Sequence, residues 1–212
     1  MNRSSLAYYE LSPRSDGPVC VKKAWLRENR ARFCCPGCGV AYAKSSPLNP
    51  LIMDTRGGSS RFRLPLEFIF GVDYGVIRDD LLAVLEPEAS KDLNLGALLD
   101  ENGRQISDYH TAQAKIPAAV RGGPESKNNG VCDKCGRRRY YPMPHGYGYL
   151  LRSTFPKDVP ILRVRKGIAV SQTIRDRIVA AGLARGMYVV KLLVLDEPED
   201  GLPLDLKFCE NI

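Results

Sequence analysis

Seven cysteines stand at positions 20, 34, 35, 38, 132, 135 and 209, and four of them form two matching units, Cys35-Pro36-Gly37-Cys38-Gly39 and Cys132-Asp133-Lys134-Cys135-Gly136. Two residues between thiolates let both sulfurs of a pair reach one tetrahedral metal at about 2.3 Å, so two such turns facing each other complete a four-sulfur site. The glycine after each pair has no Cβ and can turn its backbone N–H towards a cysteine sulfur, a hydrogen bond that spreads the thiolate charge. Zinc is the default metal for an isolated four-cysteine site without a redox context, with iron second. A catalytic zinc keeps three protein ligands and one open position; four cysteines leave none. The expected role of Zn2+ at Cys35, Cys38, Cys132 and Cys135 is therefore structural.

Other chemistries compete for the same residues. A disulfide framework in an exported protein sits poorly with an odd cysteine count, and Met1 to Glu10 lacks the basic-then-apolar order of a secretory signal peptide. Redox catalysis would place one Cys-x-x-Cys at a helix start, where the helix N-terminus lowers the thiol pKa. Cys38 is followed instead by Gly39-Val40-Ala41-Tyr42, and Cys135 by Gly136 and three arginines, which read as turn then strand. Unpaired thiols are the third alternative. Cys34 adjoins the first pair and could substitute as a ligand or stay free, while Cys20 and Cys209 read as small buried residues. Of the two histidines, His110 falls in a polar loop and His145 in a Pro/Gly turn, Pro142-Met143-Pro144-His145-Gly146. His145 could support or replace a metal ligand, although a surface histidine is the plainer description.

Residues 39–131, 93 in number, separate the pairs, against roughly 15–20 in a compact zinc ribbon. The expected architecture is a zinc-ribbon-like region over 1–150 with a long insertion at 39–131. Within the insertion, Leu64 to Phe70 reads as a short strand or an extended segment, and Val76, Ile77, Leu81, Val84 and Leu85 follow helical spacing up to Pro87. A second short helix is expected near Leu93 to Leu99, then a polar stretch after Asp100 and a mobile loop over Arg121 to Gly130. Beyond the second pair, Ile161 to Arg165 alternates as a strand does, Gly167 permits a turn, and Ser171 can cap a helix reaching Leu183. Ile174, Ile178 and Val179 fall on its apolar face, Gly182 lies near its end, and Tyr188 to Leu195 follows as a strand. Residues 151–212 thus form a strand-helix-strand unit packed on the ribbon region, or one domain with it, and the fold class is α+β.

At 212 residues, with 44% hydrophobic and 26% charged residues, the chain has the composition of a globular protein, not of a fibrous or disordered one. No apolar run approaches the roughly 18 residues of a membrane span, so an intact soluble protein without a membrane partner is expected. The net charge of +7 is unevenly spread: residues 1–40 carry +4, 41–120 carry −3, 121–170 carry +8 and 171–212 carry −2. The two basic segments are those with the clustered cysteines. Basic patches attract nucleic acid, acidic proteins or membrane surfaces, and often only keep a face solvated. The best nucleic-acid segment is Arg137-Arg138-Arg139-Tyr140-Tyr141, whose guanidiniums could meet phosphates while its rings stack on bases. Four thiolates around Zn2+ carry a formal charge of −2, however, and nearby arginines offset it without any ligand. No phosphate-binding glycine loop, nucleophile elbow or metalloprotease His-Glu pair occurs. Acidic pairs such as Asp79-Asp80 suit solvated element ends. These features favour a binding protein over an enzyme.

The two Cys-x-x-Cys-Gly units, about a hundred residues apart in a chain of this length, resemble the myxobacterial double-CxxCG family. The tail segment Ile161 to Arg165, Val170-Ser171 and Ala181-Gly182-Leu183 also looks like one recurrent in that family and in other bacterial immunity proteins. Members are described as immunity proteins that protect a cell from a polymorphic lipoprotein toxin delivered by its kin. The resemblance implies a non-catalytic, cytoplasmic protein that binds and neutralises one cognate toxin domain. It carries over Cys35, Cys38, Cys132 and Cys135 as the paired cysteines and no toxin-contacting residue. Immunity proteins against nucleases are often acidic mimics of nucleic acid; this basic chain departs from that pattern, which points to a toxin with an acidic contact face or to neutralisation without mimicry.

Overall fold

A computed structural model of the chain describes residues 7–14, 24–25, 27–29, 36–37, 51–52, 64–68, 75–100, 102–116, 118, 120–121, 128–131, 133–134, 138–140, 149–152, 155–164 and 167–195. They form a mixed α+β fold of two mainly antiparallel sheets with few helices.

The six-stranded sheet has the order β11-β12-β1-β13-β10-β7. Its strands are β1 (Tyr8–Pro13), β7 (Val120–Arg121), β10 (Tyr149–Leu151), β11 (Ile161–Val164), β12 (Gly167–Ser171) and β13 (Met187–Leu195). Only β10 and β13 run parallel. β1 lies between β12 and β13, with Leu11 opposite Ile168 on one side and Val189 on the other. A division at residue 150 therefore does not coincide with a sheet boundary, because the C-terminal strands take their central neighbour from the start of the chain. The outer side of β11 is not open: Arg163 N–H donates to Ile116 O at 2.8 Å and Ala118 N–H to Arg163 O at 2.9 Å.

The five-stranded sheet, β2-β5-β6-β4-β3, comprises β2 (Leu51–Ile52), β3 (Leu66–Phe68), β4 (Gly75–Arg78), β5 (Leu93–Leu99) and β6 (Gln105–Ala114). Between β4 and β5 run two short helices, α1 (Asp79–Leu85) and α2 (Glu88–Asp92). A two-stranded hairpin pairs β8 (Asn128–Val131) with β9 (Arg138–Tyr140).

One apolar core joins the sheets. Tyr9, Leu11, Ile168, Val170 and Val189 from the first meet Leu66, Ile77, Leu93, Ala112 and Ala114 from the second, and Leu81, Leu85, Ile174 and Ile178 enter from the helices. A second cluster covers the far face of the six-stranded sheet, where Phe155 meets the Tyr8 ring edge-on at 5.5 Å and Tyr8 donates to Val159 O at 2.7 Å. A 3-10 turn over Leu183–Gly186 brings the backbone of Gly186 against Pro65, the residue before β3. A Cβ built there would stand 2.5 Å from Pro65 Cδ.

Several sequence expectations are corrected. Leu93–Leu99 is a strand, not a helix: antiparallel pairing with β6 satisfies its backbone, and Gly96 lies opposite Thr111. His110 lies in β6, not in a polar loop. Val76 and Ile77 belong to β4, and helix begins only at Asp79, as β-branched side chains favour the pleated surface. The C-terminal helix α3 (Gln172–Ala180) buries Ile174 and Ile178, but Val179 is 44% exposed. Ser171 is its N-cap residue, without a side-chain capping bond, and Gly182 takes the left-handed conformation at φ +73° just beyond its end. Gly167 is a strand residue paired with Val164, one rung from the connection. Of the expected mobile loop, Arg121 lies in β7 and Asn128 to Gly130 in β8, and 122–127 fall outside the described residues.

Candidate functional site

Cys35, Cys38, Cys132 and Cys135 lie outside the described residues, as do Cys20, Cys34, Cys209 and His145. What is described is the interior of each pair. Pro36 and Gly37 form an exposed turn, and so do Asp133 and Lys134. The second turn belongs to the connection between β8 and β9, whose pairs are Asn128 with Tyr140 and Val131 with Arg138. A short hairpin thus brackets the second cysteine pair, and a Cys-x-x-Cys turn can present two sulfurs to one metal.

Of the arginine and tyrosine run, Arg137 and Tyr141 are outside the described residues, whereas Arg138, Arg139 and Tyr140 form β9.

A second group of residues escaped the sequence reading. The five-stranded sheet turns one face to the shared core; the opposite face carries the row Glu67, Val76, Thr111 and Gly96, with Arg78 opposite Tyr109 and Asn94 opposite Gln113 beside it. A polar face on an antiparallel sheet is ordinarily solvated. Here Glu67, Tyr109, Thr111 and Gln113 are all buried. Charge enters from the rim: Arg78 Nε donates to Asp80 Oδ1 at 2.8 Å, which raises the guanidinium's pKa and lowers that of Asp80. Burial raises the Tyr109 phenol, against the lowering effect of its hydrogen bond with Arg78. The alternation of β6 would have revealed this face, but its partner positions on the core side, Ala112 and Ala114, are too small to mark a strand by pattern.

On the core-side margin of the same strand, His110 Nε2 lies 2.7 Å from Asp79 Oδ1, in the first turn of α1. His110 shares its face with Ile77, so it and Tyr109 point to opposite sides of the sheet and do not converge on one reacting atom. The Asp79-Asp80 pair is an element end, as its sequence suggests: one carboxylate ties α1 to β6, the other ties it to β4.

No helix among the described residues is long and apolar enough to cross a membrane. Compared with known proteins, the chain matches no family model and no curated protein.

Proposed function

We propose that the chain is an immunity protein that binds and neutralises one cognate toxin domain in the cytoplasm, acts without catalysis, and is held together in part by a structural zinc. The observation that carries this reading is the pair of Cys-x-x-Cys-Gly units, with the interior of each in an exposed turn and the second inside a hairpin connection. Four thiolates suit Zn2+ in charge, softness and geometry, so Cys35, Cys38, Cys132 and Cys135 are the residues that would hold it. Bound there, zinc crosslinks two distant parts of the chain and supplies no chemistry of its own. A rigid two-sheet body is the kind of scaffold on which a variable recognition surface can be carried.

The competing reading, a zinc-ribbon protein that binds nucleic acid through Arg137 to Tyr141, is supported by the charge of +8 over residues 121–170.

The test is co-expression with the toxin encoded by the adjacent gene: rescue of growth and co-purification are expected, and the reading fails if neither occurs. Purified protein should contain about one zinc per chain and lose stability on chelation or in Cys132→Ser. A folded protein without zinc, or one indifferent to that substitution, overturns the metal site. Binding to duplex or single-stranded nucleic acid that weakens steeply with salt would favour the competing reading.

A further inference from the structure

Among the described residues, three large apolar side chains are exposed, Leu95, Val179 and Tyr188, and Tyr188 is the most open at 55%. It differs from the others in what surrounds it. Arg14, just past the end of β1, stacks its guanidinium over the Tyr188 ring at 5.1 Å from the centroid, and its Nη1 donates to Arg185 O at 3.2 Å. Arg14 and Arg185 are both exposed, and among the described residues neither guanidinium is in an ion pair with a carboxylate. These groups meet where β1 and β13, adjacent central strands, reach one end of the six-stranded sheet, with Tyr188 opposite Ser12. The next residues on this face are Glu10 and Val190, paired with each other and half-buried.

We propose that this patch of Arg14, Arg185 and Tyr188 is the surface that engages the toxin domain, and that the toxin meets it with an acidic patch. The inference rests on the immunity reading given above. Three observations converge on it. Tyrosine and arginine are the residue types that dominate protein–protein hot spots. The ring is held in advance: stacking on Arg14, itself tied to the Arg185 carbonyl, fixes two side chains whose ordering would otherwise be lost entropy on association. The exposed Arg14 guanidinium over the ring, with exposed Arg185 three residues before Tyr188 in the chain, gives the patch a positive charge that a carboxylate-bearing partner can neutralise while the ring is covered. A nucleic acid fits less well, since one guanidinium stacked on a single ring, with Glu10 next on the same face, makes no track along successive phosphates.

The experiment measures affinity of the full chain for the purified toxin domain encoded by the adjacent gene, by titration calorimetry at two salt concentrations. Tyr188→Ala should weaken binding about 10- to 100-fold, and Tyr188→Phe should retain most of it. Arg185→Glu should weaken it roughly tenfold, mainly by slowing association, and flatten the salt dependence. Thermal melts of all three variants should match the parent, because the altered side chains are exposed. If the unaltered chain binds and Tyr188→Ala and Arg185→Glu bind within about twofold of it, this surface is wrong and the immunity reading stands. If the unaltered chain does not bind, that reading fails and the surface assignment with it. Binding of a 30-base-pair DNA duplex that Tyr188→Ala abolishes would replace a protein partner by a nucleic acid and overturn the proposal.

Discussion

Replacing Gly186 by alanine tests whether the two sheets meet as described. Gly186 ends the 3-10 turn before β13, and its φ is not in the left-handed region, so alanine can adopt the backbone without strain. On conformational entropy alone the change would stabilise the protein by about 0.4–1 kcal/mol. The added Cβ, however, falls 2.5 Å from Pro65 Cδ and 3.1 Å from Cγ, about 1 Å inside an ordinary carbon contact of roughly 3.5–4.0 Å. A pyrrolidine ring cannot swing aside as a side-chain tip can, and Pro65 is anchored, since its carbonyl accepts a 2.9 Å hydrogen bond from Arg78 N–H. Relief therefore requires moving β3 relative to β13, at the roughly 1–3 kcal/mol typical of an overfilled core. The steric cost wins. Gly186→Ala should lose about 1–2 kcal/mol, read as a lower urea midpoint by far-UV circular dichroism. In a double-mutant cycle, Pro65→Ala should recover part of that loss. Gly103→Ala is the contrast, costing about 1–2 kcal/mol with nothing within 4 Å of its Cβ, through its φ of +77° alone. A Gly186→Ala protein as stable as the parent, or more so, would refute the close approach of Gly186 and Pro65.

Two further predictions concern the helices. Ile178→Ala should cost about 2–5 kcal/mol, because the side chain is fully buried in the shared core, whereas exposed Val179→Ala should stay within about 0.5 kcal/mol in the same urea titration. Burial raises the Asp92 carboxyl pKa, against the lowering pull of Lys91 and Lys115, and among the described residues its Oδ2 has no hydrogen-bond partner. A raised carboxylate pKa contributes stability below its unfolded value and loses it as pH rises through the folded one, so the ion is a net cost at neutral pH. Asp92→Asn should therefore raise the neutral-pH urea midpoint, with the gain closing on acidification; a gain independent of pH would refute this account. Asp80, bonded to Arg78, and Glu88, where burial is outweighed jointly by the Arg177 guanidinium and its own backbone N–H, have lowered values and the opposite sign. Their contributions hold above the usual carboxylate range and fade as pH falls through their folded values.

The parts of the fold legible in sequence are those where one face is strongly apolar. Ile161 to Val164 is bounded by a short connection, and Ile174 and Ile178 mark α3, so both elements could be read locally. Val179 misled because valine is apolar wherever it points; its place on the helix follows from which neighbours are packed, which sequence does not state. The run Leu93 to Leu99 contains leucine and alanine, good helix formers, and only the distant strand β6 decides that it extends. β6 itself hides its nature, with small alanines on one face and buried Thr111 and Gln113 on the other. Asp108, at φ +64°, and the register shift opposite Ala97 to Leu99 further break its alternation. Of the candidate sites, the cysteine spacing was plain because metal geometry is local. The patch at Tyr188 was not, because Arg14 reaches it across the whole length of the chain.

The placement of β1 between β12 and β13 has a consequence for synthesis. Leu11 and its partner Ile168 are 157 positions apart, so a ribosome adding about 5–20 residues per second makes β1 roughly 8–30 s before its first neighbour exists. During that interval Tyr8 to Pro13 has both strand edges without their native partners, the state in which a nascent strand is most open to wrong pairing. The six-stranded sheet closes only when β13 arrives on the other side. A released chain lacking residues 187–195 should therefore keep the β11–β12 pairing but leave one hydrogen-bonding edge of β1 without its strand.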